Sequence, residues 1–103
     1  MQAIRIFCSP FFHYPIQQEI EVLNKLGLHA RPSAQLAKAA NLYRASITLT
    51  HGKRSVDAKS ILGLMTMALP YGTKLTLNVD GPDEADAAKH ITDLFKNRFG
   101  ESE

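Results

Sequence analysis

His29 stands within NKLGLHARPSAQLAKAA, residues 24–40, between a Gly-Leu pair and an Arg-Pro pair. Pro32 suits the first turn of a helix, where its missing N–H would lack an intrahelical partner anyway, so the stretch reads as a helix N-terminus. At such an end several backbone N–H groups have no acceptor and the helix dipole adds partial positive charge, which favours an anion. The same charge favours the neutral, nucleophilic form of an imidazole placed there. If its nitrogen took a phosphoryl group, the new dianion would lie against the N–H groups of Ala30 and Arg31, within reach of the Arg31 guanidinium. Gly27 and Pro32 would fix the turn and the helix start. The alternative use of His29 is packing or capping, and spacing alone leaves both uses open.

Other chemistries find less support. Ser33 lies too close in sequence to His29 to suggest a triad, and no oxyanion motif stands out. His13, His29, His51 and His90 lack metal-ligand spacing, so no metal and no cofactor are expected. His51 reads as a turn residue and His90 as a polar-face residue of the last helix. Ser60 precedes ILGLMTMAL and suits the N-cap of a short helix.

The elements that must carry these residues follow from periodicity. QEIEVLN alternates, with Ile20 and Val22 on one side of a strand and Glu19 and Glu21 on the other. A helix is predicted over residues 31–41, its stripe formed by Ser33, Leu36, Ala37 and Ala40. ASITLT, the turn HGK and RSVDA read as a β-hairpin. The helix after Ser60 should stop at Pro70 and Gly72, with Leu64 and Met67 in the core. KLTLNV is a further strand, with Leu75, Leu77 and Val79 inward. The last helix opens at Gly81 and Pro82, has Asp83, Glu84 and Asp86 at the end the dipole favours for acids, and buries Ala88, Ile91, Phe95 and Phe99.

The order is strand, helix, strand, strand, helix, strand, helix, and each strand has one apolar face. That combination predicts an α+β open-faced sandwich, a four-stranded, mainly antiparallel sheet with three helices on one face. Residues 1–17 mix prolines and aromatics without a sustained period. They are read as an N-terminal extension, disordered or holding a loose strand over residues 3–7, ahead of a single domain at 18–103.

Composition sets the outer bounds. At 103 residues the chain suits one domain, and 45% apolar with 21% charged residues is ordinary for a globular protein. No apolar run approaches the roughly 20 residues needed to cross a bilayer, and the N-terminus lacks the pattern of a signal peptide. A cytoplasmic location is therefore expected, and the single cysteine, Cys8, agrees with a reducing compartment. The net charge of +2 argues little for nucleic acid, yet residues 25–59 hold seven basic residues against Asp57 alone. If they share a face, it favours an acidic partner or a phosphate; dispersal over a solvated surface is the alternative.

GLHARPSAQLAK resembles the active-site segment of the HPr family, the histidine-containing phosphocarrier proteins of the bacterial phosphoenolpyruvate-dependent phosphotransferase system. DAKSILGLMTMAL resembles the family's regulatory-serine segment. The separation of the two motifs and the element order fit as well, over residues 18–100. NKLGLHARP and LFKNRFG are similar to the nitrogen-related branch, NPr, and AKSILGLM to the sugar branch.

The resemblance implies an HPr-like fold and a carrier rather than an enzyme. His29 would accept phosphate on Nδ1 from phosphorylated Enzyme I and pass it to EIIA domains, with Arg31 steadying the group and Ala30 and Arg31 binding it. Ser60 would be the site of regulatory phosphorylation by an HPr serine kinase/phosphorylase. Ile61, Leu62 and Met65 would dock partners, transcriptional regulators among them. A monomer is implied, without nucleic acid or membrane insertion.

Two other functions compete. One is a regulatory binding module controlled through Ser60. The other is a small nucleic-acid binder, disfavoured by the modest charge and by the lack of an aromatic pair on a sheet face.

Overall fold

The computed structural model describes residues 15–103. The strand expected at residues 3–7, and most of the expected extension, lie outside them. Four strands, β1 (Ile16–Glu21), β2 (Ser46–His51), β3 (Arg54–Asp57) and β4 (Lys74–Asp80), form one sheet in the order β1-β4-β2-β3, every neighbouring pair antiparallel. The helices are α1 (Ala30–Ala40), α2 (Ile61–Met67) and α3 (Glu84–Lys96), followed by a 3-10 turn at Arg98–Gly100.

Register explains why the sheet has two unlike faces. Ile47 pairs with Val79, Leu49 with Leu77 and Ile20 with Leu75, so these apolar side chains project to one side and are buried. The reverse face carries Thr48 opposite Asn78 and Thr50 opposite Ser55. There the Thr50 and Ser55 hydroxyl oxygens lie 2.8 Å apart and Asn78 donates to Thr50 at 3.3 Å. Helix α3 packs on β1 and β4, α2 packs on β3, and α1 packs against both helices. This is the expected open-faced α+β sandwich. Among the described residues no helix is long and apolar enough to cross a membrane.

Three details depart from expectation. The domain boundary at 17/18 falls inside β1, because Ile16 continues the inward alternation through Gln18 to Ile20 and packs against the core. Helix α2 stops before Pro70: Ala68 takes a left-handed conformation (φ 49°) as its C-cap, and Leu69 then turns into the core. The last helix ends at Lys96, short of Phe99.

At that third point Arg98 and Phe99 both have positive φ, 53° and 54°, a conformation that bends the chain sharply. Phe99 is nonetheless buried, edge-on to Phe95 with ring centroids 4.9 Å apart. The bend sends residues 101–103 back across the start of α1. Asp83 also does more than face the helix dipole: its carboxylate accepts the amides of Arg44 and Ala45, both at 2.8 Å, and ties α3 to the chain entering β2.

Candidate functional site

The turn before α1 is built so that His29 is its last extended residue. Asn24, fully buried, accepts the Gly27 amide on its backbone oxygen at 3.0 Å and donates through Nδ2 to the Gly27 carbonyl at 2.6 Å. Gly27 has φ +73°, and Leu28 then donates its amide to the Leu69 carbonyl at 2.8 Å. The buried Ser33 hydroxyl donates back to the Leu28 carbonyl at 3.3 Å. These bonds fix the backbone on both sides of the imidazole.

His29 is the N-cap of α1: its carbonyl accepts the Ser33 amide at 3.0 Å, and its side chain makes no cap bond. Side-chain capping, one of the uses the sequence left open, is therefore absent. The amides of Ala30 and Arg31 occupy the first helical turn, where no intrahelical acceptor exists. Pro32 offers no amide. The His29 side chain is 35% exposed, so the ring is reachable without being fully solvated.

Reasoning from sequence missed the residue in closest polar contact with it. Nε2 of His29 lies 2.7 Å from Oε2 of Glu101, and Nη2 of Arg31 donates to the same oxygen at 2.9 Å. The other carboxylate oxygen accepts from Nδ2 of Asn24 at 2.9 Å. The Glu101 side chain is only 12% exposed. Burial pushes its carboxyl up, but the hydrogen bonds from Asn24, His29 and Arg31 together outweigh that and hold it below the usual carboxylate range. Glu101 is thus an ionised acceptor, and the proton between it and His29 belongs to Nε2.

Gln35 completes the arrangement. With its amide oxygen toward α1's first turn it accepts from Nη1 of Arg31 at 2.7 Å and donates to the Phe99 carbonyl at 3.1 Å. The tail is pinned again by the Lys25 amide on the Glu103 carbonyl, 2.9 Å, and by Lys25 Nζ, 3.6 Å from the Glu103 carboxylate.

The other expected site residues sit around this centre in distinct ways. Ser60 caps α2, its hydroxyl accepting the Gly63 amide at 3.0 Å. It lies at the end of α2 remote from His29, roughly 10 Å along a seven-residue helix. Ile61, Leu62 and Met65 are exposed, Leu62 at 77%, whereas Leu64 and Met67 are buried. Met65 joins His29 in lining an open apolar groove with Leu26, Ala68 and Pro70. Leu26 is 76% exposed and Tyr71 is also exposed; neither was anticipated. His90 is held by the Tyr43 hydroxyl at 2.7 Å from Nδ1, so it is more than a solvated polar-face residue.

Known proteins share both motif and fold. Residues 16–97 match the family described as "PTS HPr component phosphorylation site". The phosphocarrier protein HPr of Cupriavidus necator is 44% identical over 88 residues, 85% of this chain and 99% of the relative. That of Neisseria meningitidis serogroup A is 43% identical, with the same coverage. Among solved structures, an HPr from Thermoanaerobacter tengcongensis superposes with a TM-score of 0.82 at 36% identity, covering 85% of this chain and 99% of its own. The HPr of Bacillus anthracis gives 0.77 at 31% identity, covering 81% and 99%. With a matching family signature across the folded unit, and relatives aligned over nearly their full lengths, this chain belongs to the HPr family, the phosphocarrier proteins of the phosphotransferase system.

Proposed function

We propose that this phosphocarrier accepts phosphate from phosphorylated Enzyme I on Nδ1 of His29 and passes it to EIIA domains. One observation carries the reading: His29 presents a partly exposed imidazole at the N-terminus of α1, with its Nε2 edge occupied by Glu101. The nitrogen left for attack is Nδ1. The amides of Ala30 and Arg31 and the Arg31 guanidinium are the groups that bind the phosphoryl dianion, through charge-assisted hydrogen bonds.

Phosphoryl transfer depends mostly on positioning and charge stabilisation. A shallow, exposed acceptor therefore leaves part of that work to each partner, and the protein acts as a carrier rather than an enzyme. Ile61, Leu62 and Met65 form the docking patch, and the groove from Met65 to His29 gives it continuity with the acceptor. Ser60 is the regulatory phosphorylation site, its modification altering partner binding from the far end of α2.

The carrier works in the cytoplasm as a monomer in this reading, with residues 1–14 contributing nothing to transfer. A dimer has been solved for an HPr of Thermoanaerobacter tengcongensis, so sedimentation is the check on the monomer. The test of function is a chase. Protein phosphorylated with Enzyme I and phosphoenolpyruvate, then purified from both, should lose its phosphate to an added EIIA domain within seconds to minutes. Retention of the phosphate in the presence of every EIIA tried would refute the carrier role.

A further inference from the structure

The contact between Glu101 and His29 has a consequence for the chemistry of transfer. Resting on the reading of His29 as acceptor, the geometry points to Glu101 as a positioning residue whose carboxylate stabilises the positive charge that develops on the imidazole during phosphorylation.

The balance of the step requires such a charge. Neutral His29 holds its one ring proton on Nε2, because an ionised carboxylate 2.7 Å away can only accept. The Nδ1 lone pair attacks phosphorus and forms an N–P bond. The bond from phosphorus to the leaving group breaks, and its electron pair departs with that group. The ring now has substituents on both nitrogens and carries one positive charge. Before attack Glu101 meets a neutral donor; afterwards it meets a cation at the same distance. An interaction that strengthens as the reaction proceeds lowers the barrier, whereas uniform binding would not.

The surroundings favour this use. Oε1 is held by the buried Asn24 amide and Oε2 by Arg31 as well as by His29, so the carboxylate does not have to reorganise. The charged groups facing the ring are few. Arg31 comes from α1, Lys25 from the preceding turn, and Glu101 and Glu103 from the tail. Lys25 pairs with Glu103, which leaves Glu101 as the anion directed at the imidazole. On the α2 side the groove offers Met65 and Ala68, which carry no charge.

The test uses the full chain and a chemical phosphoryl donor, potassium phosphoramidate, so that no partner protein enters the result. Its P–N bond breaks and ammonia leaves with a proton. Phosphorylated wild type and Glu101→Gln are followed by 15N and 31P NMR across pH. Glutamine keeps the size and one acceptor oxygen, removes the charge, and turns the other oxygen into a donor. The phosphorylated wild-type ring should keep its Nε2 proton to higher pH, the acid constant in Glu101→Gln being about tenfold larger. Phosphorylation of the variant should also be about tenfold slower.

Coincident titrations of the two phosphorylated proteins would overturn the role of Glu101 while leaving His29 as acceptor. Absence of any phosphate on His29 in the wild type would instead overturn the acceptor reading, and this inference with it. A merely structural tail would lower the melting temperature of Glu101→Gln and leave the titration of its phosphorylated ring unmoved, which counts against the proposal.

Discussion

A Cβ atom on Gly27 would stand 2.5 Å from the Leu69 carbonyl oxygen, closer than real Cβ contacts come. The same oxygen receives the Leu28 amide at 2.8 Å, so it cannot retreat without breaking that bond. Gly27 also has φ +73°, where any side chain is strained. Gly27→Ala is therefore expected to cost on the order of 2–3 kcal/mol in stability and to slow phosphorylation, because the displaced segment leads directly into His29. Urea denaturation of the two proteins measures the first effect. A stability loss well under 1 kcal/mol would show that the turn adapts freely.

Arg31 is more than half exposed and shares its donors between Glu101 and Gln35. Arg31→Ala should fold normally, since no core contact is lost. It should accept phosphate from Enzyme I about tenfold more slowly, the worth of one charge-assisted hydrogen bond to the incoming dianion. Rapid-quench kinetics supply the number. Unchanged rates would remove Arg31 from the mechanism.

Ser60 offers a separation of cap from charge. Ser60→Ala loses the hydroxyl that accepts the Gly63 amide and should cost about 1 kcal/mol. Ser60→Asp restores a cap and adds a charge the helix N-terminus tolerates. Beside the exposed Ile61 and Leu62, that charge should raise the KM for Enzyme I several-fold, more than the alanine does. Equal KM values for the two variants would leave Ser60 as a structural cap only.

The Glu101 clasp should also be visible in acid. Its carboxyl is held below the ordinary value of 4.5 by Asn24, His29 and Arg31 against the opposing effect of burial. A depressed folded-state value means that the stabilisation is complete above the unfolded value, near 4.5, and is lost as pH falls through the folded one. The stability difference between wild type and Glu101→Gln should accordingly shrink as pH falls below about 4.5. A difference that persists unchanged at pH 3 would mean the clasp does not depend on ionisation.

Local signals made much of this legible in the sequence. Alternation at Leu75, Leu77 and Val79 and the stripe through Leu36, Ala37 and Ala40 identify their elements because burial imposes those periods. GLHARP marks a helix N-terminus because glycine and proline each answer a local backbone requirement there, whereas the acceptor role of His29 is suggested by the family resemblance and not by spacing. In α2, Leu64 and Met67 are core candidates by sequence and are buried, whereas helical spacing leaves Ile61, Leu62 and Met65 open between core and surface; their exposure is implied by the resemblance and is seen in the structure.

What stayed hidden is long-range or locally atypical. Asn24 and Glu101 are 77 residues apart, and a terminal glutamate beside another reads as solvated charge. The bend that brings it home needs two successive non-glycine residues, Arg98 and Phe99, at positive φ, which propensity disfavours. Ala68 closes α2 in the same unfavoured region, so Pro70 and Gly72 drew the expectation instead. In each case burial of Phe99 or Leu69 outweighs the local preference.

The central claim is that His29 carries the transferable phosphate. Intact mass measured before and after incubation with Enzyme I and phosphoenolpyruvate tests it most directly. The wild type should gain one phosphate that is lost on brief acid treatment, and His29→Ala should gain none. A phosphate that appears on His29→Ala at the wild-type level, or that survives acid in the wild type, would contradict the account and move the acceptor to another residue.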